Sequence, residues 1–189
     1  MPMLKREENA IVLDFLPSGR SSAARHEPLA QVLGDTYFTL LEVVLKPQVS
    51  LNPGEHVYIG RDMREKVDHI AGRVLFGGLT SSAQREAEAQ VRNLIAVREQ
   101  EFVTFLNRAG AINIRAHSLE LLPSIGKKHL QSIMDEREKK PFTSFEDVRS
   151  RVPSLGNIAE VFVQRILGEL KGEGKYYLFC KAPAREEYR

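Results

Sequence analysis

Between residues 10 and 80 the apolar positions fall in short runs broken by turn-forming residues. Residues 10–16 end at Pro17-Ser18-Gly19, residues 29–33 at Gly34-Asp35, and residues 37–45 at Lys46-Pro47. The runs are rich in branched or aromatic side chains, which suit a pleated, half-buried surface. Asn52-Pro53-Gly54-Glu55 predicts a turn, because proline presets φ at the first central position and glycine accepts a positive φ at the second. Residues 56–60 alternate after it, and residues 70–76 close on Gly77-Gly78. Five short strands predict a small β-barrel of the OB or SH3 type over residues 1–79, since such a sheet protects its edges by curling onto itself.

From Thr80 the period changes. Residues 85–109 are strong in Ala, Glu, Gln and Arg, with Val91, Leu94, Ile95, Arg98, Phe102, Phe105 and Leu106 at helical spacing. Ser81 or Ser82 can cap the start and Gly110 ends the pattern, which predicts one long connecting helix within residues 80–110 whose apolar stripe docks on a neighbouring domain. Further on, Pro123-Ser124-Ile125-Gly126 returns thirty residues later as Pro153-Ser154-Leu155-Gly156, each copy preceding a helical run, 127–139 and 157–170. One supersecondary unit used twice cannot bury its apolar face alone, so the copies are expected to pair in an all-α domain over residues 111–175. Thr143 and Ser144 each have an acidic residue three positions on, a capping-box signature opening a helix over 145–152. Residues 176–180 read as a strand returning to the barrel, followed by a mobile tail to residue 189. The expected fold class is α+β.

Composition narrows the function. With 42% hydrophobic and 28% charged residues, the 189-residue chain has material for real cores. No run approaches a membrane span and no apolar signal segment follows the first residues, so a soluble cytoplasmic protein is expected. Cys180 is the lone cysteine and reads as a buried, inert thiol. The five histidines lack metal-ligand spacing, no nucleotide-binding Gly-rich loop occurs, and Asp62-x-x-Glu65-x-x-Asp68 reads as a solvated turn. Neither a catalytic residue, a metal nor a cofactor is expected. Net charge is only +2, and residues 115–175 hold 11 Lys/Arg against 9 Asp/Glu, so any polyanion-binding face must be local.

The run Leu121-Leu122-Pro123-Ser124-Ile125-Gly126-Lys127-Lys128-His129-Leu130 to Ile133, with Lys140-Pro141-Phe142-Thr143-Ser144-Phe145-Glu146-Asp147-Val148, resembles tandem helix-hairpin-helix modules. The whole chain is similar to the archaeal family catalogued as Domain of Unknown Function 655, residues 10–21 carrying part of the likeness. The resemblance implies a strand-rich half followed by paired hairpins that grip RNA or DNA without reading sequence; it implies no reaction. Typical hairpins carry Gly-apolar-Gly, whereas Ser124 and Ser154 stand at the first glycine here.

A glycine-bearing turn that opens a helix leaves main-chain N–H groups free for an anion, and the helix dipole has the same preference. In the first unit this singles out Ser124, Gly126, Lys127, Lys128 and His129, with Arg115 and His117 on the approach. The second unit offers Ser154, Gly156 and Asn157, with no lysine beside them. On the barrel, Tyr37 and Tyr58 with Arg61, Arg64, Lys66 and Arg73 suggest a stacking and charge surface for single strands, set against the ordinary reading of strand aromatics as core. The leading expectation is a non-enzymatic protein that binds the RNA or DNA phosphate backbone. The alternatives are a protein-interaction module in a translation, transcription or repair assembly, an accessory DNA-binding protein of repair or recombination, and a metal-dependent nuclease on the acidic cluster.

Overall fold

Strand β1 (Asn9–Leu16) lies between β2 (Leu29–Gly34) and β4 (His56–Tyr58), while β3 (Leu40–Leu45) joins β2 to β5 (Val67–Arg73). These elements come from a computed structural model that describes residues 6–20, 27–113 and 116–182. All pairings are antiparallel in the order β4-β1-β2-β3-β5. The first four strands form a Greek key, with β4 returning to lie beside β1. Register shifts between Val12 and Asp14, Glu42 and Val43, and Val44 and Leu45 bend the strands. The result is a curled half-barrel whose edges are β4 and β5.

The apolar runs fold as their pattern requires. Ala10, Val12, Ala30, Val32, Leu41 and Val43 share one core with Leu51, Val57, Ile59 and Val67. Strand β2 is buried at all six positions, so both of its faces are covered. Gly54 takes a φ of +82°, the conformation its turn calls for. Residues 37–39, expected at the start of a strand, stay outside the ladder: the buried Glu7 carboxylate accepts the N–H groups of Thr36, Tyr37 and Thr39 at 3.0–3.1 Å, so those donors are already engaged. The last strand is Val67–Arg73, and Phe76 sits instead in a short 3-10 turn.

Helix α1 (Ser81–Val97) begins on Thr80, not on Ser81 or Ser82. Thr80 Oγ1 accepts the N–H of Ala83 at 3.0 Å and donates its own proton to Asp14 Oδ2 at 2.5 Å, while the Thr80 N–H reaches Gln31 Oε1 at 2.9 Å. One residue thereby caps the helix and ties it to the sheet. Gln31 stands opposite both Asp14 and Glu42 in the ladder, and Glu42 also holds Arg20. This polar row across three strands had no signature in the linear sequence.

The chain divides into two compact units, one of Met1–Gln90 with Glu169–Arg189, the other Val91–Gly168. The expected single connecting helix is interrupted at Arg98 (φ −101°, ψ 25°), after which α2 (Glu99–Arg108) continues. In the second unit follow a minimal pair β6 (Ala111–Asn113) and β7 (Ala116–His117), then α3 (Lys127–Lys139), α4 (Phe145–Arg151) and α5 (Ile158–Leu170). Phe162, fully buried on α5, gathers Phe102, Phe145 and Phe105 with ring centroids at 4.9, 6.0 and 6.1 Å. The Arg137 guanidinium donates to the carbonyls of Leu106 and Ala109, both at 2.8 Å, closing the C-terminal end of α2 where carbonyls lack partners.

Residues 176–180 form no strand. Their main-chain donors go to the buried carboxylate of Glu169, which accepts from Leu178, Phe179 and Cys180 at 2.8–3.0 Å. Cys180 is buried there as a free thiol. Most of the C-terminal tail lies outside the described residues. No helix among the described residues is long and apolar enough to cross a membrane.

Candidate nucleic-acid interface

The repeated tetrapeptide places matched side chains alike. Leu122 and Val152 are buried before it, and Ile125 and Leu155 are buried within it. Ser124, Gly126, Ser154 and Gly156 are all exposed. Apolar plugs thus hold two turns against the helices while the polar rims face water.

The first turn leaves its helix open. Gly126 precedes α3 with extended backbone (φ −90°, ψ −177°) and has no side chain to cap the helix. Its carbonyl starts the helical ladder by accepting the N–H of Leu130 at 2.9 Å. Among the described residues no acceptor meets the N–H groups of Gly126, Lys127 or Lys128. Both lysine side chains are exposed beside them. The turn itself is locked by His129, whose Nδ1 donates to the Ser124 carbonyl at 2.8 Å, and by Ile125 N–H to Leu122 O at 3.2 Å. Ser124 holds a φ of +65°, so the serine in place of glycine adopts the left-handed backbone, at a cost no glycine would incur.

The second turn is closed by contrast. The N–H of Gly156 bonds to Pro153 O at 3.2 Å inside a short 3-10 turn, and Asn157 Oδ1 accepts the N–H of Glu160 at 3.4 Å. Arg149 is exposed and 3.8 Å from Glu146, while Arg151 is committed to Glu136, Asp147 and the Phe142 ring. Arg165 donates to Leu121 O at 2.9 Å. A groove of about 390 Å³ lies beside this turn, lined by Phe145, Glu146, Arg149, Gly156, Asn157 and Ile158.

Capping chemistry differs from expectation in one further respect. Ser144 caps α4 by accepting the Asp147 N–H at 3.0 Å, but the Asp147 carboxylate returns to Thr143 N–H, not to Ser144. A full reciprocal box occurs at His117, where Nδ1 accepts from Leu119 N–H at 3.1 Å and Glu120 accepts the His117 N–H at 2.9 Å. His117 is therefore a capping acceptor, and burial, then the nearby Arg137 charge, hold its imidazole below the ordinary histidine value, opposed by Glu120. Arg115 lies outside the described residues.

In the half-barrel most of the aromatic and basic candidates have different partners. The Tyr58 hydroxyl meets Asp62 at 3.3 Å, the Arg64 Nε donates to Gly60 O at 2.8 Å, and Lys66 is paired with Glu55. Arg61 is exposed. Tyr37 instead carries the Lys181 ammonium 5.0 Å from its ring centroid, and Arg73 donates to the Lys181 carbonyl at 3.3 Å. Lys181 was absent from the sequence-derived set, because nothing local to residue 181 indicates where it folds back. Asp68 pairs with His69 at 2.7 Å, and among the described residues no three His, Cys, Asp or Glu side chains converge as metal ligands.

Residues 6–181 match the model of a family described as protein of unknown function (DUF655). This chain belongs to that family. It is 40% identical over 179 residues to an uncharacterized protein of Methanocaldococcus jannaschii, covering 94% of this chain and 81% of that one. It is likewise similar to the crystal structure of Af1531 from Archaeoglobus fulgidus, with a TM-score of 0.83 and 39% identity, covering 93% of this chain and all of that one.

Proposed function

We propose that this protein binds the phosphate backbone of nucleic acid, RNA before DNA, without reading base sequence and without catalysing a reaction. The observation that carries the reading is the open corner at Gly126, Lys127 and Lys128: three unengaged main-chain donors at the start of a 13-residue helix, flanked by two exposed ammonium groups. Each of these groups favours an anion, and none meets one among the described residues. The twin units are read as tandem helix-hairpin-helix modules in which the first grips phosphate and the second, self-capped by Asn157, stabilises its partner. The half-barrel is read as an open relative of the OB type, an assignment that its Greek-key order supports. Docking to a protein partner is the second reading, favoured by the mixed polar and apolar groove beside Gly156.

The test is anisotropy of labelled, unrelated oligonucleotides across a salt series. Binding that weakens with salt and falls much further in K127E/K128E than in N157E supports the reading. Absence of binding by the native protein, or equal effects of the two changes, refutes it.

A further inference from the structure

A second cluster of cations, in the first unit, is assembled by two buried carboxylates. Glu7, 6% exposed, gathers the N–H groups of Thr36, Tyr37 and Thr39 and so fixes the loop that presents the Tyr37 ring. Glu169, 2% exposed, gathers those of Leu178, Phe179 and Cys180 and so fixes the segment that ends in Lys181. With both ends held, the Lys181 ammonium rests 5.0 Å from the Tyr37 ring centroid, and the Arg73 guanidinium reaches the Lys181 carbonyl at 3.3 Å. Arg6 immediately precedes Glu7; it is exposed and makes no hydrogen bond or ion pair among the described residues.

Two like charges, Arg73 and Lys181, meet here. Burial is the largest cause that lowers the Lys181 ammonium below the usual lysine value, Glu7 opposes it, and Arg73 and Arg6 both add to the lowering. The Glu7 carboxylate, although it accepts main-chain donors, offsets part of the positive charge at Lys181. The partly buried Lys181 ammonium loses solvation and is repelled by the Arg73 guanidinium, and an anion seated beside them relieves both costs. Arg73 supplies a fork suited to two oxygens of one phosphate, and Lys181 a point charge.

We propose that Arg73 and Lys181, the latter set on Tyr37, form a second phosphate-binding site that takes a phosphodiester of a nucleic-acid strand. The site rests on the reading of the protein as a nucleic-acid binder, but uses no residue of the repeat turns. Glu7 and Glu169 are positioning residues for it.

The experiment measures the affinity of the full chain for one labelled, mixed-sequence RNA oligonucleotide across a salt series, for the native protein, R73E/K181E, R73Q/K181Q, K127E/K128E and the control R85E, a reversal on exposed α1. Circular dichroism checks that each variant is folded. R73E/K181E is expected to weaken binding roughly tenfold or more at low salt, and R73Q/K181Q to flatten the plot of log affinity against log salt by about 0.7, the share of one phosphate on a single strand. R85E is expected to have a small effect. Should the glutamine variant bind with the native affinity and slope while K127E/K128E loses binding, this site is overturned and the broader reading stands. Loss in R73E/K181E and R73Q/K181Q alone upholds the site and moves the grip away from the first turn. No binding by the native chain ends both. E169Q, which keeps both cations, is expected to weaken binding by a smaller factor, and an unchanged affinity there would remove Glu169 from its positioning role.

Discussion

Ser124 and Gly156 share a φ of +65° from different places in the same tetrapeptide: the second residue of the first copy and the fourth residue of the other. The repeat is thus a repeat of plugs and not of backbone. Because the left-handed region is open to glycine and costly for serine, S124G is expected to stabilise the protein by about 0.5–1 kcal/mol. Denaturant melts of the two proteins measure it, and a loss of stability would mean that the serine hydroxyl contributes more than its backbone strain costs.

The two glycines answer to different needs. Gly156 combines φ +65° with ψ −130°, a region that side chains avoid, whereas Gly126 is extended with open space where a Cβ would project. G156A is expected to cost about 1–3 kcal/mol. G126A should leave stability within about 0.5 kcal/mol of native, as expected of an exposed surface change. Thermal unfolding of the pair tests the contrast, and equal losses would contradict it.

Electrostatic effects should follow the open turn. Reversing Lys127 and Lys128 removes two ammonium groups beside unengaged donors, while N157E alters a helix start that already caps itself. The double reversal should lower oligonucleotide affinity roughly tenfold or more at low salt and N157E less than threefold, the gap narrowing as salt screens both. Anisotropy at two ionic strengths decides it.

His117 couples the approach to the first turn to pH. Its Nδ1 must be unprotonated to accept the Leu119 N–H, and its folded value is lowered from 6.5 by burial and Arg137. The unfolded chain therefore binds the proton more readily. The stability contribution is complete above pH 6.5 and is lost progressively as pH falls through that value toward the lower folded one. H117N keeps a capping acceptor without titrating, so its stability should vary less across that interval, while H117A should lose about 1 kcal/mol at every pH above it. Urea melts at several pH values give the comparison, and parallel curves for native and H117N would rule the coupling out.

The aromatic cluster holds the second unit. Phe162 is fully buried against three other rings, and F162A should cost about 3–5 kcal/mol through lost transfer energy and a cavity the rings cannot fill. Calorimetry reads the loss, and a change below about 1 kcal/mol would show that the helices collapse onto the space.

Helix bounds at α3 and, to within a residue, α4, and the strands β1 and β2, were legible in the residues alone. Each depends on interactions within a few positions: a cap, a proline, a period of two or of 3.6. The remainder depended on partners far apart in the chain. The sequence reads one helix through Arg98 where the backbone turns and a strand at residues 176–180 whose donors a buried Glu169 takes, and it gives no sign that Lys181 comes to both Tyr37 and Arg73. Local patterns decide which backbone groups want partners. Which distant carboxylate or ring supplies them is settled only when the chain closes on itself, and at Lys181 that closure creates the charge cluster.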